Sequence, residues 1–157
     1  MRAAVRVALA AAMLVSVCMV SARADDATPE ATLKAYLSAL KDARFDDAYE
    51  RCSKAMRQGK SKDDWVKEQK QLMAFADVKI FNFTVYPAKV QGDTAQVPNI
   101  LESQDKLVNT LGLTEYELYT LVREDGAWKV DSQILLEPAE QAKWFPKGAK
   151  PKESGSH

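Results

Sequence analysis

An α+β fold, three N-terminal helices packed on a curved four-stranded antiparallel sheet, is what this sequence predicts. Two observations carry that expectation. Up to residue 76 the apolar side chains recur at helical spacing, and from Val78 the period falls to two. Because every helical stretch precedes every strand, the order is that of segregated layers rather than alternating β–α units.

The first helix opens at Thr28, an N-cap residue, followed by Pro29 at the first helical position, and Leu33, Tyr36, Leu37 and Leu40 form its apolar stripe. A second stripe runs through Phe45, Ala48, Tyr49, Cys52 and Met56, with Asp46 and Asp47 at its start, where carboxylates suit the helix dipole. Gln58-Gly59-Lys60 ends it. Ser61 with Asp64 three residues later resembles a capping box and opens a third helix, whose Trp65, Leu72, Met73 and Ala76 share a face. Asp63, Lys67, Glu68 and Lys70 form its solvated side.

The run 79–86, rich in aromatic and β-branched residues, predicts a first strand. Gly92-Asp93 punctuates, and Ala95 and Val97 resume the alternation in a second. Pro98 places that second strand at an edge or a bulge, because proline cannot donate to a ladder. Residues 113–123 form a third strand, Asp125-Gly126 a tight turn, and 127–136 a fourth with Trp128, Val130, Ser132, Ile134 and Leu136 on one side. The stretch 99–112 carries no clear pattern.

Both ends of the chain stand outside this domain. Arg2 and Arg6, the apolar run from Val7 to Val20 and the small-x-small pattern Ala22-Arg23-Ala24 read as a signal peptide, residues 1–24, cut after Ala24. The apolar run is too short to span a bilayer, so no membrane span is expected after cleavage. Val17 before Cys18 is not the small residue a lipid-anchor motif needs. The processed protein is therefore expected in the periplasm or secreted, with one domain over 25–145. Residues 146–157, with Pro146, Pro151, Gly148 and Gly155, read as a disordered tail.

Removing Arg2, Arg6 and Arg23 from the 22 basic residues leaves 19 against 22 acidic ones. That balance favours neither nucleic acid nor a membrane surface as partner. Cys52 is left without a second cysteine and reads as a small buried apolar residue. The lone histidine, His157, closes the tail, so a Ser-His-acid triad, a Cys-His pair and a histidine metal site are all excluded from the domain. Gly59, Gly92, Gly112 and Gly126 are too scattered for a phosphate loop. No cofactor, metal site or catalytic residue is expected. Glu115 and Glu117 alternate with Tyr116 and Leu118, which points the two carboxylates away from the inner face.

Two segments resemble a known superfamily. The opening Tyr36-Leu37-Ser38-Ala39-Leu40-Lys41-Asp42-Ala43-Arg44-Phe45-Asp46-Asp47-Ala48-Tyr49 and the closing hairpin Leu121-Val122-Arg123-Glu124-Asp125-Gly126-Ala127-Trp128-Lys129-Val130 are similar to the nuclear-transport-factor-2-like (SnoaL-like) superfamily. The resemblance implies a cone-shaped, cystatin-like fold and is nearest to exported bacterial members of unknown function. It also places Tyr36 where the ketosteroid isomerases of that superfamily carry an oxyanion-donating tyrosine. The general base of those enzymes finds no counterpart in Met56-Arg57-Gln58-Gly59-Lys60-Ser61-Lys62.

Tyr36, Trp65, Phe83, Tyr116 and Trp128 are the candidate residues facing the space between sheet and helices, either filling it or lining an apolar pocket. Tyr119, Leu121 and Leu135 form the candidate interface strip on the opposite sheet face, open to a partner or to a second copy in a homodimer. The expected function is that of an exported, non-enzymatic binding module contacting an envelope protein or a small apolar ligand. A pocket enzyme of the isomerase or dehydratase type is the alternative.

Overall fold

The structure, a computed structural model, describes residues 27–150. The signal segment 1–24 and residues 151–157 of the expected tail lie outside the described residues.

Helix α1 (Pro29–Lys41) begins as its sequence dictates, with the Thr28 hydroxyl accepting from the Ala31 amide at 3.2 Å, and it buries Leu33, Tyr36 and Leu37. Helix α2 (Phe45–Arg51) is shorter than its stripe. The Ser53 amide leaves the helical pattern and donates to the Val130 carbonyl at 2.8 Å, and Ser53 then caps a separate turn, α3 (Lys54–Arg57). Helix α4 (Lys62–Ala76) has Ser61 as its N-cap, the side chain accepting from the Asp64 amide. One expected helix is thus two, because the edge of the sheet competes for its backbone.

Five strands replace the expected four: β1 (Lys79–Val85), β2 (Lys89–Gln91), β3 (Thr94–Gln104), β4 (Thr114–Glu124) and β5 (Ala127–Leu135). All pairings are antiparallel in the order β1-β3-β4-β5, with the short β2 also on β3. Pro98 therefore sits in an interior strand, against the expectation of an edge or bulge. The Pro98 carbonyl accepts from Tyr86, just beyond the end of β1, so its missing N–H faces the interruption between β1 and β2. The stretch 99–104 continues β3, and 105–113 closes the β3–β4 hairpin. At the β4–β5 hairpin, Asp125 and Gly126 both take positive φ, as a two-residue turn of this hand requires.

A break in register between Thr120 and Leu121 decides the faces of the sheet. Leu121 pairs with Val130 and Thr120 with Ser132, leaving Asp131 as the extra residue. Its carboxylate accepts from the Ser53 hydroxyl at 2.6 Å. Before the bulge, Trp128 and Val130 face the helices. After it, Leu136 packs on the far side with Ile100, Leu118 and Phe145. The single-sided run expected for the last strand is therefore split.

The main core lies between sheet and helices, where Leu33, Tyr36, Leu37, Phe45, Ala48, Cys52 and Trp65 meet Ala95, Val97, Tyr119, Leu121, Trp128 and Val130. A second cluster covers the other face. A short helix, α5 (Pro138–Gln141), turns the chain back so that Trp144 and Phe145 reach Ile100, Leu118, Tyr86 and Tyr116. The Tyr116 and Tyr86 hydroxyls donate to the carbonyls of Ala149 and Lys150, so the expected tail starts as a packed segment through Lys150.

Candidate functional site

Of the five residues expected between sheet and helices, Tyr36, Trp65 and Trp128 are buried in the main core and Phe83 packs half-buried against it. Tyr116 does not join them, for it lies on the far face with its ring edge-on to Phe145, centroids 5.2 Å apart. Two residues of the expected interface strip take the opposite position. Tyr119 and Leu121 are buried facing the helices, Tyr119 edge-on to Tyr36 with ring centroids 6.4 Å apart, while Leu135 is exposed. The faces of β4 are thus exchanged relative to the expectation. The interior is filled where the rings meet: Trp65 stacks edge-on to Tyr49 at 5.8 Å, and Trp128 lies under the Arg123 guanidinium.

The exchange carries Glu117 inward. It is 3 % exposed, and its Cα partner in β3 is Asn99, itself fully buried. Asn99 Nδ2 donates to Glu117 Oε2 at 2.7 Å, Gln133 Nε2 donates to Oε1 at 2.9 Å, and the Tyr119 hydroxyl donates to the same carboxylate. Burial pushes the carboxyl up to about 7, helped by the charge of Glu115 and opposed by the donors from Asn99, Gln133 and Tyr119. One register step outward, Ser103 donates to Glu115 at 2.7 Å. Burial and the Glu117 charge raise the Tyr36 hydroxyl well above the ordinary tyrosine range. Asn99 Oδ1 has no hydrogen-bond partner. Cys52 is also inert, its thiol raised to about 12 by burial and donating to the Ala48 carbonyl.

Glu117 was missed because a charged residue flanked by apolar ones reads as the solvent side of a strand. The neighbouring strand held a signal. Val97-Pro98-Asn99-Ile100-Leu101 is apolar on both parities apart from Asn99, the mark of a strand covered on both faces, and a buried asparagine there requires a polar partner.

A second feature stands at the far end of the β3–β4 hairpin. The carboxylate of Asp105 accepts from the amides of Leu107, Val108 and Asn109, which holds it below the usual carboxylate range. Asn109, almost fully buried, donates to the carbonyls of Ser103 and Leu113 and accepts from the Leu113 amide. On this polar frame Leu107, Val108, Leu111 and Leu113 point into solvent, Val108 at 88 % and Leu111 at 82 % exposure. Gly112 takes φ +69°, where a Cβ would only just reach the exposed Phe81 ring, and the Lys106 ammonium lies 5.1 Å from the ring centroid of exposed Phe75.

Three concave regions lie away from the buried Tyr36 and Glu117. One of about 530 Å³ is lined by Tyr116, Gln141, Phe145 and Lys147, one of about 430 Å³ is edged by Trp128 between α1, α2 and β5, and one of about 170 Å³ lies beside the loop between Lys79, Gln104, Lys106 and Thr110. None of these three takes in Tyr36 or Glu117. Among the described residues, no three His, Cys, Asp or Glu side chains are grouped to hold a metal, and no helix is long and apolar enough to cross a membrane.

No family model and no curated protein matches the chain. Solved structures do. The chain is similar to a SEC-C motif containing protein from Rhodopseudomonas palustris, at 14% identity and TM-score 0.55 over 70% of this chain and 80% of that one. It is similar to a domain of unknown function with a cystatin-like fold from Nostoc punctiforme, at 12% identity and TM-score 0.53 over 77% and 83%. An NTF2-like protein from Cytophaga hutchinsonii aligns at 16% identity and TM-score 0.49 over 66% and 90%. Helices α1–α4 segregated on one face of a five-stranded antiparallel sheet, with the likeness to the Nostoc punctiforme domain, give the chain an α+β, cystatin-like fold.

Proposed function

We propose that this protein is an exported, non-enzymatic binding module of the cell envelope, which engages an apolar partner through the 105–113 loop and its neighbours Phe75 and Phe81. One observation carries the reading: large rings fill the interior where this fold could have held a ligand, while a hydrogen-bonded loop holds four large apolar side chains in water. Exposed apolar groups of this density on an ordered element mark contact sites. An ordered loop also loses little conformational freedom on binding.

A fluorescent apolar dye tests it. Dye emission should rise on the folded protein and fall to baseline in a Val108→Ser, Leu111→Ser double variant that melts like the parent. Dye binding untouched by that variant but lost in Glu117→Gln would move the site to the interior. The buried Glu117 carboxyl, close to Tyr36 and Tyr119, is the observation that favours a second reading, the pocket enzyme of isomerase or dehydratase type.

A further inference from the structure

We propose that the C-terminal segment, folded back over the far face of the sheet, forms a binding pocket for a small apolar carboxylate, whose hydrocarbon lies on Tyr116 and Phe145 while its anion meets Lys147. The pocket shares no lining residue with the 105–113 loop and does not depend on the function proposed for that loop.

The sequence explains why this segment encloses space. Pro138 opens α5, the helix ends after one turn, and Pro146 with Gly148 at φ +77° bends the chain again, the Ala149 amide donating to the Pro146 carbonyl. Between the two bends, Phe145 is held edge-on by two tyrosine rings, Tyr86 at 5.1 Å and Tyr116 at 5.2 Å between centroids. Hydrogen bonds fasten both ends. Gln141 Nε2 donates to the Leu136 carbonyl, and the Tyr116 and Tyr86 hydroxyls donate to the carbonyls of Ala149 and Lys150. The chain thus arches over Tyr116 instead of lying flat on it, and it leaves a hollow of about 530 Å³.

Size and lining select the ligand. Pockets for small molecules run to about 300–1,000 Å³ and are mostly apolar, with a few polar groups that fix orientation. Here Tyr116, Phe145, Pro138 and Pro146 supply apolar walls, and beside the Tyr116 hydroxyl the polar side chains are those of Gln141 and Lys147. Tyr116, expected to face the space between sheet and helices, lines this hollow on the opposite face. A hollow already fastened at both ends needs little further ordering when it fills.

Lys147 sets the charge. Among the described residues it is the one charged side chain lining the hollow, and it makes no ion pair there. Neighbouring cations are engaged elsewhere: Lys143 pairs with Glu140 at 2.6 Å, and Lys89 lies over the Trp144 ring while donating to the Lys143 carbonyl. Glu137 and Glu140, the nearest carboxylates in sequence, do not line the hollow. An ammonium beside an apolar hollow with no carboxylate in its lining favours an anionic ligand over a neutral one of the same shape, by an attraction that falls with added salt.

The test is titration of the exported, processed protein with octanoate and with octanol, followed through amide shifts in nuclear magnetic resonance spectra. Octanoate should shift the amides of Gln141, Ala142, Lys147, Gly148 and Ala149 while those of Leu107 to Leu113 stay in place. Its affinity should exceed that of octanol by about fivefold, and Lys147→Gln should remove that advantage without lowering Tm. Ala142→Trp, which fills the hollow from an exposed position, should abolish binding of both; if that variant does not fold, Lys147→Gln still decides. The loop variant Val108→Ser, Leu111→Ser should leave the octanoate shifts unchanged, and their loss there would assign the ligand to the loop and overturn the proposal. Absence of shifts in the 138–149 segment up to the micelle concentration of octanoate, or equal affinities for the two ligands in the parent protein, also overturns it. Either failure leaves dye binding at the loop, and with it the binding-module reading, to be judged on its own result.

Discussion

Asn99 and Glu117 face one another across the two interior strands, Asn99 Nδ2 2.7 Å from Glu117 Oε2, with the carboxylate almost wholly out of water. A carboxyl in that place is a liability for stability. Its donors from Asn99, Gln133 and Tyr119 offset only part of the lost hydration, and Asn99 Oδ1 stays unpaired. A well-packed core would be more stable with a neutral group there.

The consequence is a pH dependence of defined sign. The Glu117 carboxyl titrates at about 7 in the fold against 4.5 for the free group, so the folded state favours its protonated form. Its contribution is fully present below about pH 4.5 and is lost as pH rises through 7, a difference of about 3 kcal/mol by linkage. Urea melts between pH 5 and pH 8 should show stability falling with pH, and Glu117→Gln should flatten that slope and stabilise the protein at pH 8. Equal slopes in the two proteins would mean that the carboxyl is not the titrating group.

The sequence displayed the fold more readily than the faces of its sheet. Helix caps at Thr28 and Ser61 and the turn at Asp125-Gly126 are local chemistry, set by a few neighbouring residues, and the structure keeps them. Strand faces depend on parity, which a single inserted residue reverses. Asp131 is that residue, and the bond that marks the bulge is to Ser53, 78 positions away in the chain. In β4 both parities carry apolar side chains, Tyr116 and Leu118 on one and Tyr119 and Leu121 on the other, because the returning 144–149 segment covers the second face. Burial on both faces removes the alternation on which the inward direction of Glu117 could have been read. The loop 105–113 lacked a pattern for a related reason, since its order comes from two side chains, Asp105 and Asn109, bonding to backbone.

Trp128 tests the core. It is buried against α1 and α2 just before the bulge, with Arg123 over its outer ring face. Trp128→Ala should destabilise by about 3–5 kcal/mol, the range for removing a large buried ring. A loss below about 1 kcal/mol in urea melts would show that β5 does not present this face to the helices.

Asn109 tests the loop. Replacing it by alanine removes two donors and one acceptor and strands the Ser103 and Leu113 carbonyls. Each lost bond to a buried backbone group is worth about 1–3 kcal/mol, but the change is confined to an element that can open locally. Hydrogen exchange should therefore quicken by about tenfold or more at the amides of Leu107, Val108 and Leu113, while exchange in β4 and β5 stays as it was. Unaltered exchange in the loop would show that Asp105 alone maintains its shape.

Tyr36 separates binding from catalysis. Its ring packs on Tyr119 and its hydroxyl lies in the field of Glu117, so Tyr36→Phe keeps the packing and removes a single polar group. If the hydroxyl is part of the core, stability should change by about 0.5–1.5 kcal/mol and nothing else should follow. If it stabilised a developing oxyanion, turnover on an active carbonyl substrate should fall by about 10²–10³ with no matching loss of stability. The filled interior favours the first outcome, with no isomerase or dehydratase turnover in the parent protein. Activity that collapses in Tyr36→Phe and also tracks the titration of Glu117 near pH 7 would establish the pocket enzyme and reduce the apolar loop to an accessory surface.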